Sequence, residues 1–281
     1  MPAPNGRIFG CNVIDPLLEV KGGTDYSLEI TERSLEFLKE IGHDAIEYSH
    51  ACHWSMEECE AVREMSARIG LIPWSLHAWA GGDVTTGEGR RSTAEVLNVA
   101  TRNAQALGVA TIVHHPNGQR LDREEDRERL EVEAELLTGL AAPGVRFALE
   151  NGVSLPTMEY VIALADALGP DNAGVCVDTG HAALGDLGPG RALRMASPRL
   201  ITTHLQDNRG QHDDHMPPGD GTIDWDDVVA ALTEIDYPGC VMLELTDQPA
   251  DAMRRVTIRD ELARGAKVAR NLAGRLPAPG S

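Results

Sequence analysis

Short apolar runs alternate with longer amphipathic stretches from one end of the chain to the other. Runs of a few apolar, often β-branched residues bounded by Gly, Pro, Asn or Asp read as buried strands. Apolar residues recurring at steps of three and four read as helices that bury one face. In order, strands are predicted over 7–13, 45–48, 72–77, 110–114, 145–149, 174–177, 200–204 and 240–245. Helices are predicted after them over 28–41, 56–69, 92–107, 123–140, 157–168, 191–195, 225–235 and 250–272. Leu28, Leu35, Leu38 and Ile41 lie near helical spacing, Pro156 precedes the fifth helix, and Asp224 is placed to cap the seventh.

Eight strand–helix units in 281 residues predict an α/β fold of the (β/α)8 TIM-barrel type, which typically takes ~250 residues. A doubly wound sheet is the rival, but it usually has fewer strands and a glycine-rich phosphate turn after the first. Here the first strand runs into CNVIDPL, which is no such turn. No linker divides the chain, so 1–281 reads as a single domain with 1–6 and 275–281 as frayed tails.

Charge narrows the choice of partner. Lys and Arg number 25 against 44 Asp and Glu, a formal charge of −19. Such a surface repels phosphate backbones, so no nucleic acid is expected. Cys11, Cys52, Cys59, Cys176 and Cys240 include no C-x-x-C pair, and Cys176 and Cys240 fall inside strands as small core fillers. That usage fits a reducing compartment. The start MPAPNGRIFG has no basic-then-apolar signal and no apolar run is long enough to span a bilayer, so a cytoplasmic location without a membrane partner is expected.

The candidate chemistry sits where the strands end. The third ends at His77, the fourth at His114 and His115, and the fifth at Glu150. The sixth ends at Asp178 with His181 three residues on, the seventh at His204 and the eighth at Glu244. In a barrel these ends converge on the face that carries active sites. Each residue alone reads as a hydrogen-bonded or solvated side chain. Their conjunction reads differently, because Glu150 and Glu244 directly follow apolar interiors where an unpaired carboxylate is costly. Residues 201–225, ITTHLQDNRGQHDDHMPPGDGTIDW, are the densest stretch, with His204 and Asp207 at the strand end and Asp213 and His215 in the loop. Packed imidazoles and carboxylates require a counter-charge, and this set suits Mn²⁺, Mg²⁺, Co²⁺ or Zn²⁺.

The run H-L-x-D-N followed by D-x-H-x-x-P-G-x-G-x-I-D-W, supported by DTGHA and LENG, resembles the xylose isomerase-like TIM-barrel superfamily over nearly the whole chain. That group holds sugar and sugar-phosphate isomerases and epimerases together with AP endonucleases of the endonuclease IV type. The resemblance implies one metal held by Glu150, Asp178, His204 and Glu244. It also implies proton transfer by Glu150 and Glu244 across a metal-stabilised enediolate, with His181 on a substrate hydroxyl. The endonuclease branch implies a wider set of His77, His115, Glu150, Asp178, His181, His204, Asp213, His215 and Glu244, which permits up to three metals. Glu47, His77, Trp79 and Arg209 are further substrate-binding candidates, and Trp54 is an alternative to Trp79 for stacking on a sugar. His50 and His53 read as solvated loop histidines.

The expected protein is therefore a metal-dependent isomerase or epimerase of a sugar, keto-sugar or inosose-like polyol. A multinuclear zinc phosphoesterase and a lyase or dehydratase on the same enediolate are the alternatives. A third is a barrel that binds a sugar or metal without turnover, though no expected ligand is missing. A homo-oligomer is compatible with the sequence.

Overall fold

The strand-like runs lie side by side in the order they occur in the chain. The computed structural model describes residues 6–13, 27–49, 51–245 and 258–278. Its strands are β1 Phe9–Val13, β2 Ala45–Tyr48, β3 Ile72–Ala78, β4 Thr111–His114, β5 Arg146–Glu150, β6 Ala173–Asp178, β7 Leu200–His204 and β8 Val241–Leu243. They form one eight-stranded parallel sheet in the order β7-β6-β5-β4-β3-β2-β1-β8. The ring closes where Leu205 bridges Leu243, with the Leu205 N–H donating to Met242 O at 2.8 Å. Thr203 reinforces this short seam: its Oγ1 donates to Cys240 O and accepts from Met242 N–H, both at 3.4 Å. The molecule is a (β/α)8 TIM barrel.

The helices are α1 Leu28–Ile41, α2 Met56–Ile69, α3 Gly87–Leu107, α4 Glu124–Gly139, α5 Leu155–Leu168, α6 Thr179–Leu184, α7 Pro189–Ala196, α8 Trp225–Glu234 and α9 Ile258–Arg275. Their ends follow local chemistry. Ser55 and Glu58 form a reciprocal capping box on α2, with Ser55 N–H donating to Glu58 Oε2 at 2.7 Å and Glu58 N–H to Ser55 Oγ at 3.2 Å. Asp224 caps α8 as its position predicts, accepting from Asp226 N–H and Asp227 N–H at 3.0 and 3.3 Å.

Most boundaries shift by a residue or two from the sequence reading, and some differences have a clear local cause. Helix α3 begins at Gly87 rather than 92, because Thr86 Oγ1 caps it by accepting from Gly89 N–H at 3.0 Å. Two glycines in that first turn conceal the start. Strand β1 begins at Phe9, because Arg7 turns into the protein and donates from Nε to Pro277 O at 2.8 Å. That bond, with Leu276 buried, also shows that residues 275–277 pack against the body instead of fraying. The short helix α6 was not expected at all. The start placed at residue 250 for the last helix lies outside the described residues.

Side chains two apart on a strand share a face. Val113, Ala148 and Cys176 form an apolar layer inside the barrel, and Ala45, Cys240 and Met242 form another. Glu47, His115, Glu150, Asp178 and Glu244 each lie two residues beyond a member of those layers. Trp74 packs against the layer of Ala45, Cys240 and Met242 and donates from Nε1 to Thr202 Oγ1 at 3.1 Å. The interior thus passes from apolar to strongly polar over one pleat, at the C-terminal ends of the strands.

Candidate metal centre

Glu150, Asp178, His204 and Glu244 each offer a ligand atom at this polar end, and the four atoms lie within 4.8 Å of one another. All four residues are buried. His204 Nδ1 is 3.2 Å from Glu150 Oε1 and 3.3 Å from Glu244 Oε2. Asp178 caps α6, accepting from His181 N–H at 2.6 Å, and this turn carries the His181 ring back over the site. His181 Nδ1 is 3.1 Å from Asn151 O and 3.4 Å from Glu150 Oε1.

The remaining ligand candidates complete the ring. His115 Nε2 is 3.2 Å from both Glu150 Oε2 and His77 Nε2. Asp213 Oδ2 accepts from His181 Nε2 at 3.1 Å and from His215 Nε2 at 2.9 Å. His215 Nδ1 is 3.6 Å from Glu244 Oε2, and the residue holds φ 46°, a left-handed backbone uncommon outside glycine. Strain of this kind collects at functional sites. All nine residues of the wider set therefore meet in one cluster.

The other candidates are placed differently. Trp79 is 62% exposed and stacks on His77 with ring centroids 4.4 Å apart, an open aromatic face at the rim. Trp54 is buried edge-on against Tyr48 and offers no face to a ligand. Glu47 has no exposed surface; its Oε2 accepts from Ser75 Oγ at 2.6 Å and from His204 Nε2 at 3.0 Å. It stands at the inward position two beyond Ala45, on the Nε2 side of the His204 ring. Arg209 is exposed on the loop before α8, where its backbone N–H donates to Asp214 Oδ2 at 3.1 Å. His53 is exposed, and His50 lies outside the described residues.

Three residues have supporting roles that the sequence reading did not assign. Gln206 is buried and donates from Nε2 to Asp213 Oδ1 at 2.6 Å and to Asp178 Oδ1 at 3.3 Å. Its carboxamide lies against Gly180, where a Cβ would fall 2.2 Å from Gln206 Cδ. Asn151 clamps β5 to β6, accepting from Asp178 N–H at 2.8 Å and donating to Asp178 O at 3.2 Å. Asp207 organises the loop: Oδ1 accepts from Asn208 and Ile223 N–H at 2.9 and 3.2 Å, and Oδ2 accepts from Gly219 N–H and Trp225 Nε1 at 2.8 and 2.9 Å. Most of their partners lie in other segments, so the Q-D-N run after His204 and the LENG motif marked their positions but not their roles.

Electrostatics at the centre is a contest between burial and pairing. Burial opposes the charge on Glu150, yet the imidazoles of His115, His204 and His77 hold its carboxyl well below the usual range. Glu244 is lowered in the same way, mainly by His204 and His215. Asp178 is pushed up to about 7 by burial; His181 pulls it down, and the facing charges of Glu150, Glu244 and Asp213 push it up. Burial disfavours protonated His181, but Asp178 and the hydrogen bond to Asp213 raise it to about 11. The carboxylates thus demand positive charge at the place where the four ligand atoms converge. Glu150 Oε2 is buried and makes no hydrogen bond. Three carboxylates, one imidazole and that unsatisfied oxygen fit a hard or borderline divalent cation.

The fold and site together define a parallel eight-stranded barrel with a candidate metal-binding carboxylate–imidazole cluster at its C-terminal mouth. The chain belongs to the xylose isomerase-like TIM-barrel family, whose profile matches residues 35–271. It is similar to an uncharacterized protein of Sinorhizobium fredii, 29% identical over 238 residues, which is 76% of this chain and 71% of that one. It is also similar to the inosose dehydratase of Geobacillus kaustophilus, 30% identical over 118 residues, 36% of this chain and 38% of that protein. Among solved structures, an L-ribulose 3-epimerase superposes with a TM-score of 0.74 at 20% identity, covering 95% of this chain and 94% of that one. A D-psicose 3-epimerase solved with D-fructose gives a TM-score of 0.69 at 20% identity, covering 86% of this chain and 93% of that one. Among the described residues, no helix is long and apolar enough to cross a membrane.

Proposed function

We propose that this protein is a divalent-metal-dependent isomerase or epimerase of a small keto-sugar or inosose-like polyol. The observation that carries the reading is the convergence of Glu150, Asp178, His204 and Glu244 on one point at the barrel mouth. When bound there, a divalent cation supplies a Lewis acid that acidifies the C–H beside a carbonyl. The residues do the rest. Glu150 and Glu244 remain charged despite burial, so either carboxylate is able to take a proton and the other to return it. Protonated His181 is placed to donate to a substrate hydroxyl, and His77 lies beside the two glutamates, 3.6 Å from Glu150 Oε2 and 3.8 Å from Glu244 Oε1. Trp79 offers its exposed face to a sugar ring. Arg209 is proposed to meet a polar substrate end from its exposed loop. Cytoplasmic location and a metal of the Mn, Co, Zn or Mg type belong to the same reading.

Incubating a panel of ketoses with the metal-loaded protein in deuterated water tests it. Metal-dependent deuterium entry next to the carbonyl is the expected result, and no exchange across the panel would sink the idea. An enolate carrying a β-hydroxyl can also eliminate, so a dehydratase outcome shares this test and is told apart by loss of water from the product.

A second reading is a phosphoesterase with two or three metals. The observation favouring it is a further ligand group, His77, His115 and Glu150, that shares Glu150 with the first. It predicts two to three zinc equivalents by elemental analysis and cleavage of a simple phosphodiester. One tight equivalent without cleavage would retire it.

A further inference from the structure

On the Nε2 side of the His204 ring stands a buried ion pair. Glu47 and Ser75 are register partners on β2 and β3, and the Ser75 hydroxyl donates to Glu47 Oε2 at 2.6 Å. Glu47 has no exposed surface, and among the described residues its only ion-pair partner is His204, whose Nε2 lies 2.9 Å from Oε1 and 3.0 Å from Oε2. The same ring stacks on His77, with centroids 5.6 Å apart and planes 15° from parallel, so it is pinned in plane as well as at its edge.

We propose that Glu47 is a positioning residue that fixes the tautomer of His204 and so sets how tightly the centre holds its cation. The inference rests on the metal reading above. The Glu47 carboxylate accepts from the Ser75 hydroxyl and faces Nε2 of His204 as an acceptor, so that nitrogen carries the proton. That leaves Nδ1, which points at Glu150 and Glu244, to offer its lone pair. Without Glu47, a neutral imidazole places its one proton on Nδ1, towards those two carboxylates, and the ligand atom is blocked. A carboxylate behind a ligating imidazole also makes the ring a stronger donor, and removing such partners typically weakens metal binding on the order of 10- to 100-fold.

The experiment measures Zn²⁺ and Mn²⁺ affinity by competition with a chelator for wild type, Glu47→Gln and Ser75→Ala. It also records the exchangeable Nε2–H signal of His204 by nitrogen-15 NMR in the Zn²⁺-loaded proteins. Wild type should show a slowly exchanging, strongly hydrogen-bonded Nε2–H. Glu47→Gln offers only a neutral acceptor, so its Nε2–H should exchange faster and shift upfield, and it should bind about 10- to 100-fold more weakly, while the metal-free protein melts close to wild type. Ser75→Ala keeps the carboxylate, so it should keep the signal and lose affinity by a smaller factor. A Glu47→Gln dissociation constant within about twofold of wild type, or an unchanged Nε2–H, overturns the proposal. Should Glu47→Gln fail to fold, Ser75→Ala decides, and an unchanged affinity there overturns it. Wild type that binds no divalent cation defeats the metal reading itself; wild type that binds while Glu47→Gln binds equally defeats only the positioning role.

Discussion

The loop that brings Asp213 and His215 over the centre hangs on one buried carboxylate, and Asp207→Asn should release it. The substitution keeps size and shape but turns one acceptor oxygen into an NH₂ group. Whichever oxygen is replaced, two N–H donors lose their acceptor: Asn208 and Ile223 on one side, or Gly219 and the Trp225 indole on the other. Hydrogen bonds to a charged group contribute about 1.5–3 kcal/mol each, so two amount to roughly 3–6 kcal/mol. Asp207 has no exposed surface, so solvent does little to screen or replace these bonds. At about 2 °C or more per kcal/mol for a domain of this size, the melting midpoint should fall by roughly 6–12 °C. Gly221→Ala probes the same point independently, because a Cβ there would fall 2.2 Å from Asp207 Oδ1. Thermal unfolding by circular dichroism and limited proteolysis across 209–222 provide the assay. A melting midpoint within about 1 °C of wild type, with no new cleavage in that loop, would refute the account of Asp207 as its anchor.

Other expectations follow from the same geometry. Glu150→Gln and Glu244→Gln should each cut proton exchange into a ketose substrate by about 10²–10⁴-fold; full exchange in either variant removes that residue from the mechanism. Trp79→Ala, on a residue 62% exposed, should raise KM several-fold while moving stability by no more than about 0.5 kcal/mol; an unchanged KM across active substrates counts against stacking. Chelation should lower the melting temperature and re-addition of Mn²⁺ or Zn²⁺ restore it, since saturation at about 100 times Kd stabilises by ~2.7 kcal/mol; a melt indifferent to chelator contradicts the centre. His43 is buried with both ring nitrogens unpaired, and burial first, then the charge of Arg270, pushes its pKa down to about 3. Its contribution to stability is complete above the unfolded value near 6.5 and is lost as pH falls from there towards 3, at about 1.4 kcal/mol per pH unit. His43→Leu should therefore flatten the acid limb of the stability curve, and an unaltered limb rejects the reasoning.

The barrel and the membership of its centre were both legible because one pattern encodes them. A strand buried on both faces reads as an apolar run, and a polar residue at its end marks the point where the chain leaves the core. Val113 before His115, Ala148 before Glu150 and Cys176 before Asp178 repeat that step on successive strands. Local rules also served where the partner is near in sequence, as at Ser55 with Glu58 and at Asp224. They failed at α6, where the short TGHAAL segment lacks an apolar stripe and forms because Asp178 caps it.

Roles that depend on distant partners were not legible, and Glu47 makes the reason concrete. From the sequence it is a carboxylate at a strand end, indistinguishable in kind from Glu150 or Glu244. Its partner His204 lies 157 residues away, and only closure of the barrel decides that it meets Nε2 while Glu150 and Glu244 meet Nδ1. Asp207 teaches the same point in reverse. It stands three residues after a ligand histidine, yet every bond it accepts comes from a neutral N–H of its own loop, so it shapes the ligand set without joining it. Asp207 accepts two N–H groups on each oxygen and has its acceptors filled, whereas Glu150, like Glu47, keeps one buried oxygen without a hydrogen bond and is open to a further positive partner.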